Sequence, residues 1–294
     1  MILIADSGST KTDWVLTGAE TPNVADVKPQ VLRTQGLNPV HMTEQQMQQI
    51  LRAELLPQLG DKASAVDAVF FYGAGVRADM EEKMRRVLMA AIPNPSLDDG
   101  NVMACSDLLG AARALCGKAK GIACILGTGA NSCLYDGASI MANTPALGYI
   151  LGDEGSGAVL GRLFLNALFK GRLSDELREE FCAWANTSLS DVIDRVYRQP
   201  MANRWLASLA PFIHEHLADE KVRQLVVDNF VAFFHHNVDA YGRKDLAVSA
   251  IGSVAWHFCE CLEEAARTCG YRVGKVLKTP IDGLVSYHLE TLKG

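Results

Sequence analysis

The chain opens on a short apolar run, Ile2 to Ala5, that ends at Asp6. A turn of small residues, Ser7 to Thr12, separates it from a second run, Trp14 to Leu16. This pattern predicts strand, tight turn, strand. A polar turn, Gly18 to Pro29, leads to a third short strand around Gln30 to Thr34, and Gly36-Leu37-Asn38-Pro39 then breaks the sheet. Met47, Ile50, Leu51, Leu55 and Leu59 recur at helical spacing, so residues 43 to 59 form an amphipathic helix. A strand from Ala68 to Tyr72 runs into Gly73-Ala74-Gly75. The helix that follows, Asp79 to Ala91, lines Met84, Val87, Leu88 and Ala91 along one face. Another strand, Val102 to Cys105, exits through Ser106-Asp107 into a helix from Leu108 to Cys116.

The same order then begins again. Ile122 to Leu126 is a buried-type strand, Gly127-Thr128-Gly129-Ala130-Asn131-Ser132 a turn, and Ser132 to Tyr135 a second strand. Asp136-Gly137 makes a hairpin turn before a third strand near Ile140. Such a repeat is the mark of an internal duplication. Five helices are expected next, over 154–169, 175–185, 189–197, 203–217 and 220–240. A strand from Leu246 to Ile251 ends in Gly252-Ser253 before a helix from Val254 to Cys269, a strand from Val273 to Leu277 and a last helix over 281–292. Strands alternating with helices after an antiparallel start read as mixed α/β sheets. A length of 294 residues suits two lobes.

Composition narrows the function. Hydrophobic residues at 49% and charged residues at 21% supply an ordinary globular core. The net charge of −6 argues against a nucleic-acid or anionic-membrane surface. The chain starts directly on a strand, with no leader-like segment, and no stretch reaches the ~18 apolar residues of a membrane span. A cytoplasmic location is therefore expected. The 8 cysteines are scattered without a CxxC pair and are expected to be reduced. In His257-Phe258-Cys259-Glu260-Cys261, residues two apart on a helix face different ways and chelate poorly. That cluster is read as core packing, and so are His214/His216 and His235-His236.

Two turns carry candidate chemistry. In each, small residues let backbone N–H groups point inward and make an anion-binding concavity. Asp6 stands at the mouth of the first, placed to hold a metal ion that accompanies phosphate. Facing each other across a cleft, the two turns could clamp a polyphosphate with Mg²⁺ between them. Plain hairpin turns would show the same local pattern. There is no GxxxxGK[ST], and Gly73-Ala74-Gly75-Val76-Arg77-Ala78 fits a dinucleotide loop only in its immediate context, without the accompanying acid. Asp107, at a strand's end beside a helix start, suits a general base, although helix-dipole stabilisation would also favour an acid there. Asp153-Glu154 likewise suits either hydroxyl recognition or the start of the next helix.

Asp6–Thr12 resembles the first phosphate loop, and Leu126–Ser132 the second, of the actin-like, sugar kinase and heat-shock chaperone ATPase superfamily. Ala250-Ile251-Gly252-Ser253-Val254-Ala255 is similar to its adenosine motif. Gly36-Leu37-Asn38-Pro39, Ser106-Asp107 and Gly148-Tyr149-Ile150-Leu151-Gly152-Asp153-Glu154-Gly155-Ser156-Gly157 resemble the N-acetylglucosamine kinase branch, in order and over nearly the full length. The resemblance implies a two-lobed actin-like ATPase fold of the ribonuclease H-like kind, a duplicated mixed β-sheet with flanking helices. Its lobes would be 1–107 with about 279–294, and 108–278. It implies ATP and Mg²⁺ as cofactors and an amino sugar, above all the 6-hydroxyl of N-acetylglucosamine, as substrate. Asp107 would be the base and Asp6 the metal ligand. Ser7, Gly8, Ser9, Thr10, Lys11, Thr12, Gly127, Thr128, Gly129, Gly252 and Ser253 would bind the nucleotide. Asn38, Gly75, Tyr149, Asp153 and Glu154, with Asp107, would meet the sugar. Tyr149 stands where an aromatic of the animal enzymes helps form the sugar pocket. Ser7 and Ser9 replace glycines common in relatives, and the CxCGxxGC zinc run of another sugar kinase family is absent. No nucleic-acid or membrane partner is implied, and a homodimer is compatible with the resemblance. Two rivals share the scaffold. One is an activator ATPase of a 2-hydroxyacyl-CoA dehydratase, which would need an iron–sulfur cluster from Cys124 and Cys133. The other is a non-catalytic sugar or nucleotide sensor.

Overall fold

Strand β1 (Ile2–Ser7) is apolar on both faces because helices cover both sides of it, the usual state of a strand with parallel neighbours. It pairs antiparallel with β2 (Lys11–Thr17), which pairs antiparallel with β3 (Gln30–Gln35). On its other side lie β4 (Ala68–Gly73) and then β5 (Val102–Ser106), both parallel to it. The sheet order is β3-β2-β1-β4-β5. These facts come from a computed structural model that describes residues 1–8, 10–18 and 30–293. Ser9 and residues 19–29, most of the expected polar turn, lie outside the described residues.

The chain divides into two units, residues 1–117 with 280–294 and residues 118–279. The first boundary falls after Gly117 rather than after Asp107, because the helix Asp107–Cys116 packs on β4 and β5 of the first unit. One face of the first sheet packs Leu3, Trp14 and Phe71 against Met47, Met84 and Leu88, all fully buried. Against the other face lie Asp107–Cys116 and the last helix, Ile281–Lys293. Those two helices cross so closely that a Cβ on Gly283 would lie 2.6 Å from the Ala114 carbonyl oxygen. Beneath them, the Tyr72 hydroxyl is 2.8 Å from His288 Nε2 and accepts a hydrogen bond from Arg113 Nη1 at 2.8 Å. Burial, reinforced by Arg113, pushes His288 down to about 4, which keeps the imidazole neutral at pH 7.

The second unit repeats the plan. Strand β6 (Gly121–Leu126) pairs antiparallel with β7 (Ala130–Tyr135), which pairs antiparallel with β8 (Ile140–Thr144). On the other side of β6 are β9 (Val248–Ile251) and β10 (Val273–Leu277), both parallel, giving the order β10-β9-β6-β7-β8. The duplication read from the sequence is therefore a duplication of topology. Cys124 and Cys133 are fully buried within β6 and β7, and none of the cysteines forms a disulfide.

Several helices expected as single pieces are interrupted. Residues 43–59 form Glu44–Ile50, a wider turn over Leu51–Leu55 and Leu56–Leu59, where Pro57 cannot donate a backbone bond. Residues 203–217 divide into Ala202–Ala207 and Ala210–Glu215 at Pro211, and residues 254–269 into Ser253–His257 and Cys259–Thr268. The helix expected over 154–169 begins at Gly157, after a short turn of helix at Gly148–Leu151. The helix expected over 220–240 ends at Phe233 and continues as a wide turn over Phe234–Val238. That change matters for His235 and His236, which are not core residues: their side chains are 54% and 63% exposed and face Asp239 and Glu154. Among the described residues no helix is long and apolar enough to cross a membrane.

Candidate functional site

In the first unit, the carboxyl ends of the parallel strands converge, the usual place for a site on an α/β sheet. Cross-strand partners share a face, so Asp6 and Asp13 point to the helix-covered side where Asp107 begins its helix. Ser7 and Thr12 point the other way. Both are completely buried, and their hydroxyl oxygens lie 2.8 Å apart. Ser7 Oγ also accepts from the Leu37 N–H at 3.0 Å, and Thr12 Oγ1 donates to the Gln35 carbonyl at 3.1 Å. These hydroxyls hold the Gly36–Asn38 loop to the turn, and the Gly36 N–H donates to the Thr10 carbonyl at 3.1 Å. The Gly8 N–H closes the turn onto the Lys11 carbonyl at 3.0 Å. Thr10 and Lys11 are exposed.

The acids at this end carry unbalanced charge. Burial pushes Asp6 up to about 7, with Asp107 and Asp13 adding repulsion and Lys11 opposing it. Burial raises Asp107 as well, against the Leu108 N–H, which donates to its Oδ1 at 2.8 Å. Asp13 is lowered despite its burial, because Lys11 and Arg33 each donate to it at 2.7 Å. Ser106 caps the helix by accepting from the Leu109 N–H at 3.2 Å, which fixes the direction in which Asp107 leaves β5. Two neighbouring carboxyls held above their ordinary range are a place where a cation lowers the energy. Among the described residues no group of three or more His, Cys, Asp or Glu side chains is arranged to hold a metal ion. Mg²⁺ in its usual protein setting takes one or two carboxylates completed by water and phosphate oxygens, a donor set that Asp6 with Asp107 beside it would fit.

Asn38 and Gly75 are brought together. Gly75 has φ +81°, and a Cβ there would lie 2.4 Å from Asn38 Oδ1, so only glycine permits the approach. Asn38 Oδ1 accepts from the Val40 N–H at 3.0 Å. Lys83 donates to the carbonyls of Pro39 and Met42 at 2.6 and 2.8 Å and so clamps this loop. Nothing in the sequence pattern singled out Lys83.

In the second unit the Gly127–Asn131 turn sits on the start of a helix. The N–H groups of Gly157 and Ala158 donate to the carbonyls of Gly127 and Thr128 at 2.8 and 3.1 Å. With its carbonyls drawn that way, the turn keeps the N–H groups of Thr128 and Gly129 without a backbone partner among the described residues. Gly252, at φ +130°, passes so close to β6 that a Cβ would lie 2.2 Å from the Leu126 carbonyl oxygen. It leads into Ser253, which lines a cavity of about 480 Å³ together with Ala207, Pro211, His214, Glu215 and His257.

Asp153 is a non-glycine residue at φ +54°. Its Oδ1 accepts from the Ala130 N–H at 3.4 Å, and the bare Gly129 beside it leaves room for the carboxyl group. Burial raises it, aided by Glu154 and opposed by Ala130. Burial also acts on Glu154, but His236 and Asn237 outweigh it and lower that group. Tyr149 is half-buried against the second core. The expected residues thus gather as Asp6 with Asp107, Asn38 with Gly75, and Gly127–Gly129 with Asp153.

No protein-family model matches the chain, and no curated protein does. Solved structures do. A candidate N-acetylglucosamine kinase from Porphyromonas gingivalis is 45% identical, with a TM-score of 0.91 and 99% of each chain covered. The chain belongs to the N-acetylglucosamine kinase-like branch of the actin-like ATPase superfamily. A candidate N-acetylglucosamine kinase from Chromobacterium violaceum shares 19% identity, with a TM-score of 0.68, covering 98% of this chain and 99% of that one. A ROK family glucokinase from Streptomyces griseus, solved with glucose and AMPPNP, shares 16% identity over 97% of each chain, with a TM-score of 0.54. These last two share the fold. The two five-stranded mixed sheets with flanking helices are those of the two-lobed actin-like ATPases, and the enzyme class is ATP-dependent sugar kinase.

Proposed function

We propose that this kinase transfers the γ-phosphoryl group of ATP to the 6-hydroxyl of N-acetylglucosamine. The observation that carries the reading is Asp107: a carboxyl raised by burial, fixed at a capped helix start beside a second raised acid. A base so held can take the proton of a sugar hydroxyl as its oxygen bonds to the γ-phosphorus and ADP leaves. Asn38, Gly75, Tyr149 and Asp153 are assigned to the sugar, with Glu154 beside Asp153 but turned to His236 and Asn237. The Ser7–Thr12 turn, with Lys11, and the Gly127–Gly129 turn are assigned to the phosphates. Gly252 and Ser253 are assigned to the adenosine, whose base suits the 480 Å³ cavity beside Ser253. Mg²⁺ would be held at Asp6 and would neutralise phosphate charge. The choice of amino sugar is supported by the 45% identity to the Porphyromonas gingivalis protein. A cytoplasmic location, where ATP is at hand, is part of the same proposal.

A coupled assay of ADP release over a panel of sugars tests this. N-acetylglucosamine should give the highest kcat/KM, above N-acetylmannosamine, glucosamine and glucose, and the product should carry phosphate on O6 by ³¹P–¹H correlation. ADP release that ignores the sugar, or a product phosphorylated elsewhere, contradicts the proposal.

A further inference from the structure

The Asp153 loop is fastened at several points to one continuous face of a single helix. The Gly155 N–H donates to Asn229 Oδ1 at 3.0 Å, and Asn229 Nδ2 donates to the Ser156 carbonyl at 3.4 Å. One turn later Phe233 packs where Gly155, at φ +80°, has no side chain; a Cβ there would lie 2.9 Å from Phe233 Cβ. One turn further still, His236 Nδ1 lies 2.9 Å from Glu154 Oε1, and Asn237 Nδ2 donates to Glu154 Oε2 at 3.3 Å. Residues 229, 233, 236 and 237 share a face by helical spacing. The wide turn Phe234–Val238, closed by the Asp239 N–H on the Phe234 carbonyl, keeps both His236 and Asn237 on Glu154. Asn237 is 5% exposed, and its carbonyl accepts from Thr144 Oγ1 at 2.8 Å, tying the same turn to the end of β8.

Both oxygens of Glu154 are therefore engaged within the protein, one residue after an acid held in a left-handed backbone conformation. Such a conformation is strained and persists only where its surroundings impose it. We infer that Glu154, His236 and Asn237 form a latch that positions Asp153 for the sugar, with Glu154 acting as a strut. This rests on the assignment of Asp153 to the sugar. His236 and Asn237 are positioning residues for substrate affinity, and the chemical step and the nucleotide do not depend on them.

The test compares His236→Ala, Asn237→Asp and His236→Gln. The aspartate places a carboxylate against Glu154, whereas the glutamine amide can still donate to it. Initial rates should show the N-acetylglucosamine KM raised about tenfold in His236→Ala and further in Asn237→Asp, with the ATP KM within about twofold. His236→Gln should restore most of the loss. Hydrogen exchange should quicken over residues 146–157 alone, unchanged exchange in β1 to β5 showing that the variants are folded. Equal losses for ATP and sugar, an unchanged sugar KM, or unchanged exchange in 146–157 would overturn the latch. If the unmodified enzyme phosphorylates no sugar, the functional assignment fails, and the exchange experiment alone decides whether the latch exists.

Discussion

The two units have the same strand order and the same parallel and antiparallel pairings, yet their strand ends differ in kind. Strand β1 ends at Asp6-Ser7, and its counterpart β6 ends at Leu126 before Gly127. Strand β4 gives way to Gly73-Ala74-Gly75, and β9 to Gly252-Ser253. Strand β5 delivers Asp107 into a helix, whereas β10 ends at Leu277 without an acid. One scaffold thus presents carboxyls above their ordinary range, and its copy presents bare backbone. The topology supplies convergent strand ends, and the residues placed on them differ; under the proposed function that difference divides chemistry from binding.

The largest effect expected from breaking this division is on Asp107. Asp107→Asn should lower kcat by ~10²–10⁴, the usual worth of a positioned base, and leave nucleotide affinity within about threefold. Steady-state rates and a nucleotide titration measure both, and near-normal turnover would remove Asp107 from the mechanism. On the backbone side, Gly252→Ala forces a methyl group onto the Leu126 carbonyl in a conformation alanine avoids. It should destabilise the protein by about 2–4 kcal/mol and weaken ATP binding, read by thermal melting with and without nucleotide. An unaltered melting temperature would mean that the close approach is relaxed in solution.

Asp6 allows a finer comparison. Its folded value of about 7 lies above the unfolded carboxyl, so the folded state binds the proton more tightly between about pH 4 and 7. The stability it contributes is complete below about pH 4 and is lost as pH rises through 7. Metal-free melting curves of Asp6→Asn should accordingly lose a decline, between pH 4 and 7, that the unmodified protein shows. Parallel curves would show that the acid is not raised. The smallest change is expected from Gly129→Ala, whose Cβ would lie 3.2 Å from Asp153 Oδ2. A shift of a few tenths of an ångström accommodates it, and the ATP KM should rise by no more than about fivefold; a larger rise would mean that Asp153 cannot yield.

The strands, the repeat and the fold were legible because β1, β4 and β6 are continuous apolar runs bounded by small-residue turns. The helix interruptions were less so. Periodicity does not register one extra residue per turn, and the wide turns at 51–55 and 234–238 keep an apolar face through the irregularity. In the site, Asp6, Asp107 and Asn38 were named from position and motif, and the structure sets Asp6 near Asp107 and Asn38 against Gly75. Strand alternation alone would have shown that Ser7 and Thr12 lie on the face opposite Asp6 and Asp13. Lys83, Asn229, His236 and Asn237 act on loops distant in sequence, and their residue types are ordinary on helix surfaces. Only the tertiary fold brings them to their partners.

The Tyr72–His288 hydrogen bond joins residues 216 positions apart, and the helix that carries His288 is the last in the chain. The first unit is therefore assembled from two segments that the whole of the second unit separates. Residues 118–279 can complete their sheet during synthesis, because all five of its strands lie within that stretch. The helix that begins at Asp107 gains the surface that Gly283 and His288 supply only once those residues too have been made. A nascent chain therefore holds all the strands of its second unit before the helix at Asp107 has all its packing partners.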